Sequence, residues 1–216
     1  MISAPRIHPT ALVEDDVIIG PGSAIWDHAH IRHGARLGAQ CIVGGKSHIS
    51  YDVRIGNRVK INSFVFICTG VTIEDCVMVS AGTIFTNDRT PRATTPDLLH
   101  PRTSDPDEHT KTTLVREGAT IGARCVIGCD LTIGRFAMIG MGSVITRSVP
   151  DFHLVVGQPA QLAGYVCRCG NVLVRYSAAS VVRPQHITTC SACARAYSID
   201  AGNVHELTSS VSAMTG

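Results

Sequence analysis

Aromatic side chains are scarce in these 216 residues: they make up 5%, with one Trp, four Tyr and five Phe. A core cannot be built from large rings here and must come from smaller, branched side chains. An excess of charge of one sign is also missing. Nineteen Lys and Arg stand against 17 Asp and Glu, a formal net charge of +2. Nucleic-acid binders usually carry a strong basic excess, so nucleic acid is not an expected partner. Long apolar runs are lacking too. The stretch Ile61-Asn62-Ser63-Phe64-Val65-Phe66-Ile67 is short and interrupted, far from the length a membrane-spanning helix needs. The start, Met1-Ile2-Ser3-Ala4-Pro5-Arg6, lacks the charged beginning and apolar stretch of a secretory signal. No membrane partner is expected, and the expected compartment is the cytoplasm.

What is present is 44% hydrophobic residues, with Val and Ile abundant, and 20 Gly. That fraction excludes wholesale disorder. Branched aliphatics favour strands over helices. Stepping by six from Ile7 reaches Val13, Ile19, Ile25, Ile31, Leu37, Val43, Ile49, Ile55, Ile61, Ile67, Ile73, Val79 and Phe85. Each is large and apolar. Four residues after each comes a smaller one, as at Ala29, Ala35, Cys41, Ser47, Val53 and Val59. The series resumes at Val115, Ile121, Ile127, Ile133, Ile139 and Ile145. A period of six suits neither a 3.6-residue helix nor a plain alternating strand. It suits a short strand and a tight turn, repeated, with coils stacking as a solenoid.

The pattern fails from Thr86 to Leu114, a stretch rich in Pro, Thr and Asp that carries His100 and His109. A loop this long in a compact fold points to function.

The hexads resemble the left-handed parallel β-helix of the hexapeptide acyltransferases, in which three hexads make one coil of 18 residues. Three further segments narrow the resemblance. They are His8-Pro9-Thr10-Ala11 with Ile25-Trp26-Asp27-His28-Ala29-His30-Ile31, then Val59-Lys60-Ile61-Asn62 with Phe85-Thr86-Asn87-Asp88 and Pro91-Arg92. The last is Gly140-Met141-Gly142-Ser143-Val144-Ile145 with Val155-Val156-Gly157-Gln158-Pro159-Ala160. Together they are similar to nucleotide-sugar N-acetyltransferases that acetylate a 3-amino sugar linked to UDP or dTDP. The pair Asp27-His28 departs from that family, which commonly reads His then Phe.

The resemblance implies an acyl-CoA-dependent N-acyltransferase, with acetyl-CoA as cosubstrate and a nucleotide-linked amino sugar as acceptor. It implies a homotrimer with sites between subunits. Asn87, of the F-T-N motif, is the first catalytic candidate, and His30 the second. An amide positions but does not take protons near neutral pH. His48, one coil from His30 and therefore about 5 Å away, is a candidate substrate contact with Lys60, Asn62, Asp88 and Arg92. The planar guanidinium of Arg92 suits a carboxylate or a phosphate. Gly140, Gly142, Arg147, Gly157, Pro159 and Ala160 are the candidate contacts to coenzyme A. Two other readings stay open: a non-catalytic β-helix scaffold, and an O-acyltransferase on a small alcohol.

Nine cysteines in a chain without a secretory signal point to ligands or free thiols before disulfides. Cys167-Arg168-Cys169-Gly170 is followed by Cys190-Ser191-Ala192-Cys193. Two close pairs at that spacing suggest a four-thiolate structural zinc site, although the first pair is CxC and not CxxC. The expected organisation is thus all-β. Residues 1–165 form the β-helix with a loop at 86–114, residues 166–200 a small zinc knuckle, and residues 201–216 a flexible tail.

Overall fold

The structure, a computed structural model, describes residues 3–176 and 185–207. The described residues form strands and no helix. Most strands are two residues long, and each pairs in parallel with the strand one coil away. Arg6 lies beside Ala24, His30 beside His48, and Arg36 beside Arg54, each pair 18 positions apart. The result is a parallel β-helix with three faces. The first face runs from Arg6–Ile7 through Lys60–Ile61 to Met138–Ile139. The second has seven strands, Leu12–Val13, His30–Ile31, His48–Ile49, Phe66–Ile67, Ile84–Phe85, Val126–Ile127 and Val144–Ile145. The third has six, from Ile18–Ile19 to Leu131–Ile133.

The period of six has a direct cause. Within each hexad the large aliphatic turns inward, and Ile31, Ile49, Ile67, Ile121, Ile127 and Ile133 are all 0% exposed. Burying each such side chain contributes roughly 1.5–3 kcal/mol. The smaller companions Ala29, Ala35, Cys41, Ser47 and Val53 pack at the corners, equally buried. Where a companion is polar it is satisfied: the Ser47 hydroxyl donates to the Asn62 carbonyl at 2.9 Å. Each corner also holds one residue in the left-handed region, again every six positions: Asp16, Gly22, His28, Gly34, Gln40, Lys46 and Asp52. The departure at Asp27-His28 thus falls on a corner, where His28 has φ +53°. Its backbone N–H donates to the Thr10 hydroxyl at 3.1 Å.

Three expected boundaries shift. The third face resumes at Thr113, so the loop is 86–112 and ends two residues early. The hexads end before Tyr165. Val155 sits 16 positions beyond Ile139, and His153–Gly157 turns back as an antiparallel hairpin with Ala160–Val166 through a cis Gln158–Pro159 bond. Residues 201–207 are not a loose tail. Asn203–Leu207 pairs antiparallel with Ala196–Asp200, and Val204 is buried against Tyr197 and Ile199. Pairing and burial hold that segment, which a low-hydrophobicity ending did not reveal. The rest of the expected tail, 208–216, lies outside the described residues.

Candidate active site

The second face carries an outward column that begins with Leu12, His30, His48 and Phe66. The His30 and His48 rings lie 5.0 Å apart, edge to face. His48 in turn stacks on Phe66 at 5.1 Å, with planes 14° apart. The two histidines sit within strands and not at corners, because each directly precedes an inward Ile. Burial, then the nearby His30 and Arg32, hold the His48 imidazole below its usual pKa.

Glu14 organises one end of this column. Its Oε1 meets His30 Nε2 at 2.8 Å and Arg32 Nε at 2.6 Å, and its Oε2 accepts from the His33 backbone N–H at 2.9 Å. The His33 N–H and the Arg32 guanidinium lower the Glu14 carboxyl to about 2. An ionised carboxylate only accepts, so His30 donates to Glu14 from Nε2–H. The Arg32 guanidinium lies 4.2 Å over the Tyr51 ring and donates to its hydroxyl. Sequence reasoning found His30 and missed Glu14, Arg32 and Tyr51. The signal was available: Arg32 is 18 positions after Glu14, so opposite charges occupy one position of adjacent coils.

Asn87 sits where the second face ends and the loop departs. Its side-chain amide donates to the Thr69 carbonyl one coil away at 3.3 Å, and its own carbonyl accepts from the Lys111 N–H at 2.8 Å. The loop therefore leaves and returns at the same point. Asp88 does not stand free for a substrate. Arg102 bridges it at 3.2 Å and Asp107 at 3.6 Å, tying both ends of the loop together. Arg92 contacts only its neighbour's carbonyl among the hydrogen bonds found, and it lines a loop cavity of about 430 Å³ with His109 and Arg102. His100 is taken up in a turn, its N–H donating to the Thr95 hydroxyl.

The remaining substrate candidates do not join His30. Lys60 points outward from the first face. Asn62 lies on the edge between the first and second faces, in a cavity of about 400 Å³ with Trp26 and Asp27. Gly140 lies on that same edge, further along the axis. The coenzyme candidates do cluster, at the last coil. Gly157 N–H donates to the Ser143 hydroxyl at 3.1 Å, which donates to the Gly140 carbonyl at 2.7 Å. The Gln158 amide donates to the Gly142 carbonyl at 2.6 Å, beside Pro159. Arg147 and Ala160 line one cavity of about 320 Å³ there. A Cβ at Gly140 would stand 2.6 Å from Val156 Cγ1, so the Val156 side chain would have to shift. Gly142 faces open space.

In the C-terminal unit the sulfurs of Cys167, Cys169, Cys190 and Cys193 all lie within 4.8 Å of one another. Cys167 and Cys193 are 3.4 Å apart, Cys169 and Cys190 3.6 Å. A tetrahedral ion with thiolate bonds of about 2.3 Å would hold its sulfurs about 3.8 Å apart, so the donor set fits. Burial opposes ionisation of Cys190, but the backbone N–H groups of Ala192 and Cys193, together with the Cys167 and Cys169 thiols, lower the Cys190 thiol to about 6.

No protein-family model matches the chain. Over 61 residues it is 51% identical to the dTDP-3-amino-3,6-dideoxy-alpha-D-galactopyranose 3-N-acetyltransferase of Aneurinibacillus thermoaerophilus, 28% of this chain and 32% of that one. Over 153 residues it is 33% identical to the bifunctional protein GlmU of Synechococcus sp. (strain CC9311), 70% of this chain and 28% of that one. The chain thus spans less than a third of these curated relatives. Among solved structures, a variant of AntD, an N-acyltransferase from Bacillus cereus in complex with dTDP and coenzyme A, superposes with a TM-score of 0.52. The identity is 18%, covering 77% of this chain and 85% of that one, a likeness of fold. The hexads and the parallel coils define a β-solenoid. The chain is similar, over part of their length, to these curated relatives.

Proposed function

We propose that the chain is an acyl-CoA-dependent N-acetyltransferase acting on the 3-amino group of a nucleotide-linked amino sugar. One observation carries this reading: the F-T-N asparagine, Asn87, stands at the single point where the long loop leaves and rejoins the coils. The curated relative named for this reaction supports it. The acceptor's amine nitrogen attacks the thioester carbonyl, the C–S bond breaks, and the proton lost by nitrogen ends on the coenzyme sulfur. An amine is already nucleophilic, so the protein's work is to orient it. Asn87 would donate its remaining amide N–H to the sugar or the developing oxyanion, and its side-chain carbonyl would accept from a sugar hydroxyl or the amine. Gly142, Arg147, Gly157, Pro159 and Ala160 would receive the coenzyme at the last coil, with Gly140 shaping the turn beneath them. Arg92, in the loop cavity, would meet a carboxylate or phosphate.

Assembly as a homotrimer, with sites shared between subunits, is part of this reading, because an open face needs a neighbour to become a cleft. A structural zinc held by Cys167, Cys169, Cys190 and Cys193 is another part. Bound there, it would stabilise the small C-terminal unit. No helix among the described residues is long and apolar enough to cross a membrane, and a cytoplasmic setting fits nucleotide-sugar chemistry.

The test is mass spectrometry of reactions with acetyl-CoA and a panel of UDP- and dTDP-linked amino sugars bearing amines at position 3 or 4. A gain of one acetyl group on a 3-amino sugar is expected. Coenzyme binding without product from any of them would remove the acceptor assignment. No coenzyme binding would favour a scaffold.

A further inference from the structure

We propose that Glu14, His30, Arg32 and Tyr51 form the subsite for the nucleobase end of the acceptor, while its sugar end reaches Asn87. The assignment rests on the nucleotide-sugar reading above. It begins with distance. His30 pairs with His48, His48 with Phe66, and Phe66 with Ile84, whose strand leads into Asn87. Three rungs of a ladder amount to about 14 Å. His30 and Asn87 therefore cannot touch the same reacting atoms from one chain. A compact acceptor would meet only one of them. An acceptor with a sugar at one end, a diphosphate in the middle and a nucleoside at the other is long enough to meet both.

The order along the axis agrees. Beyond Asn87, two further rungs, Val126 and Val144, lead to the last coil with Gly142 and Gly157. Asn87 stands between the coenzyme candidates on one side and the Glu14 cluster on the other. The acyl donor can approach from one end and the acceptor from the other, with the amine between them.

The chemistry of the cluster suits a flat, uncharged ring. The guanidinium of Arg32 lies parallel to no free anion: Glu14 already meets its charge, which makes the pair a poor phosphate site. What it offers is planar surface, backed by Tyr51 at 4.2 Å, next to the stacked His48 and Phe66. Such surfaces hold bases by stacking. His30 and Glu14 are each about a quarter exposed, accessible yet fixed in place. With Nε2–H given to Glu14, the neutral His30 ring offers Nδ1 as an acceptor for a base N–H. Within one chain this placement keeps His30 away from the amine held at Asn87 and makes it a binding residue.

Calorimetric titration of the intact protein with UDP and with dTDP tests the assignment without relying on turnover. The wild type is expected to bind at least one of the two. His30→Ala and Tyr51→Ala should each weaken that binding by tenfold or more, and Asn87→Ala should leave it within twofold. Melting followed by circular dichroism checks that each variant folds, and Tyr51→Phe, which keeps the stacking ring, should retain most of the affinity. Wild-type affinity in both His30→Ala and Tyr51→Ala overturns this subsite alone. A wild type that binds neither nucleotide overturns the nucleotide-sugar reading and the subsite with it.

Discussion

The side-chain amide of Asn87 donates to the Thr69 carbonyl, one coil away, at 3.3 Å. That bond spends one N–H, and in the proposed function the rest of the amide serves the acceptor and not the core. Asn87→Ala should therefore lower kcat by about 100-fold or more, the size of effect seen when one oriented donor is lost. The melting temperature should move little. Steady-state kinetics beside thermal melting reads both. Equal loss of fold and activity would show that the residue only closes the loop.

Glu14 gives a pH prediction with a definite sign. Its carboxyl lies at about 2 in the folded chain, below its ordinary value of 4.5, chiefly through the His33 N–H and then Arg32. A depressed carboxyl stabilises the fold above its ordinary value, and that contribution fades as pH falls from there toward 2. Glu14→Gln should melt at a lower temperature than wild type at pH 7. The two melting curves should converge as pH drops from about 5 to 3. A gap that stays constant would show that the carboxylate's charge is not what holds His30 and Arg32.

Phe85 is the one aromatic in the inward series and is 1% exposed. Phe85→Ala should cost about 3–5 kcal/mol, by lost burial and the cavity left behind. Ile7 occupies the same hexad position at the end of the ladder and is 43% exposed. Ile7→Ala should cost much less. Denaturant unfolding of the two variants makes the comparison, and similar costs would contradict the packing described.

The cysteine cluster predicts metal. Elemental analysis of the purified protein should find about one zinc per chain, on the strength of four sulfurs within 4.8 Å. Cys190→Ser should release it and loosen the C-terminal strands, with the coils' melting unchanged. Unaltered zinc content in that variant would place the ion elsewhere.

The coil was legible in the sequence because its cause is local and repeated: each Ile or Val that must be inside recurs at six. The pairing of His30 with His48 followed from the same arithmetic. The Glu14 cluster was legible in principle, by stepping 18 along outward positions, but polar outward residues vary from coil to coil and no apolar signal marks them. Lys60 and His48 fall on different faces because they stand two hexads apart, 12 positions and not 18. The ending was harder still. Asn203–Leu207 is held by pairing with Ala196–Asp200, and a lone edge strand of mixed polarity carries no period to find.

The return of the loop to its point of departure has an engineering meaning. Val71 pairs with Thr113, 42 positions on instead of the usual 18, so 24 residues are spliced in without disturbing the stacking above or below. Lys111 N–H bonds the Asn87 carbonyl across the gap. The segment between them is an exchangeable cassette. Its length and composition can change while Phe85 and Val115 stay in step, so this segment can be recast without redesigning the coils.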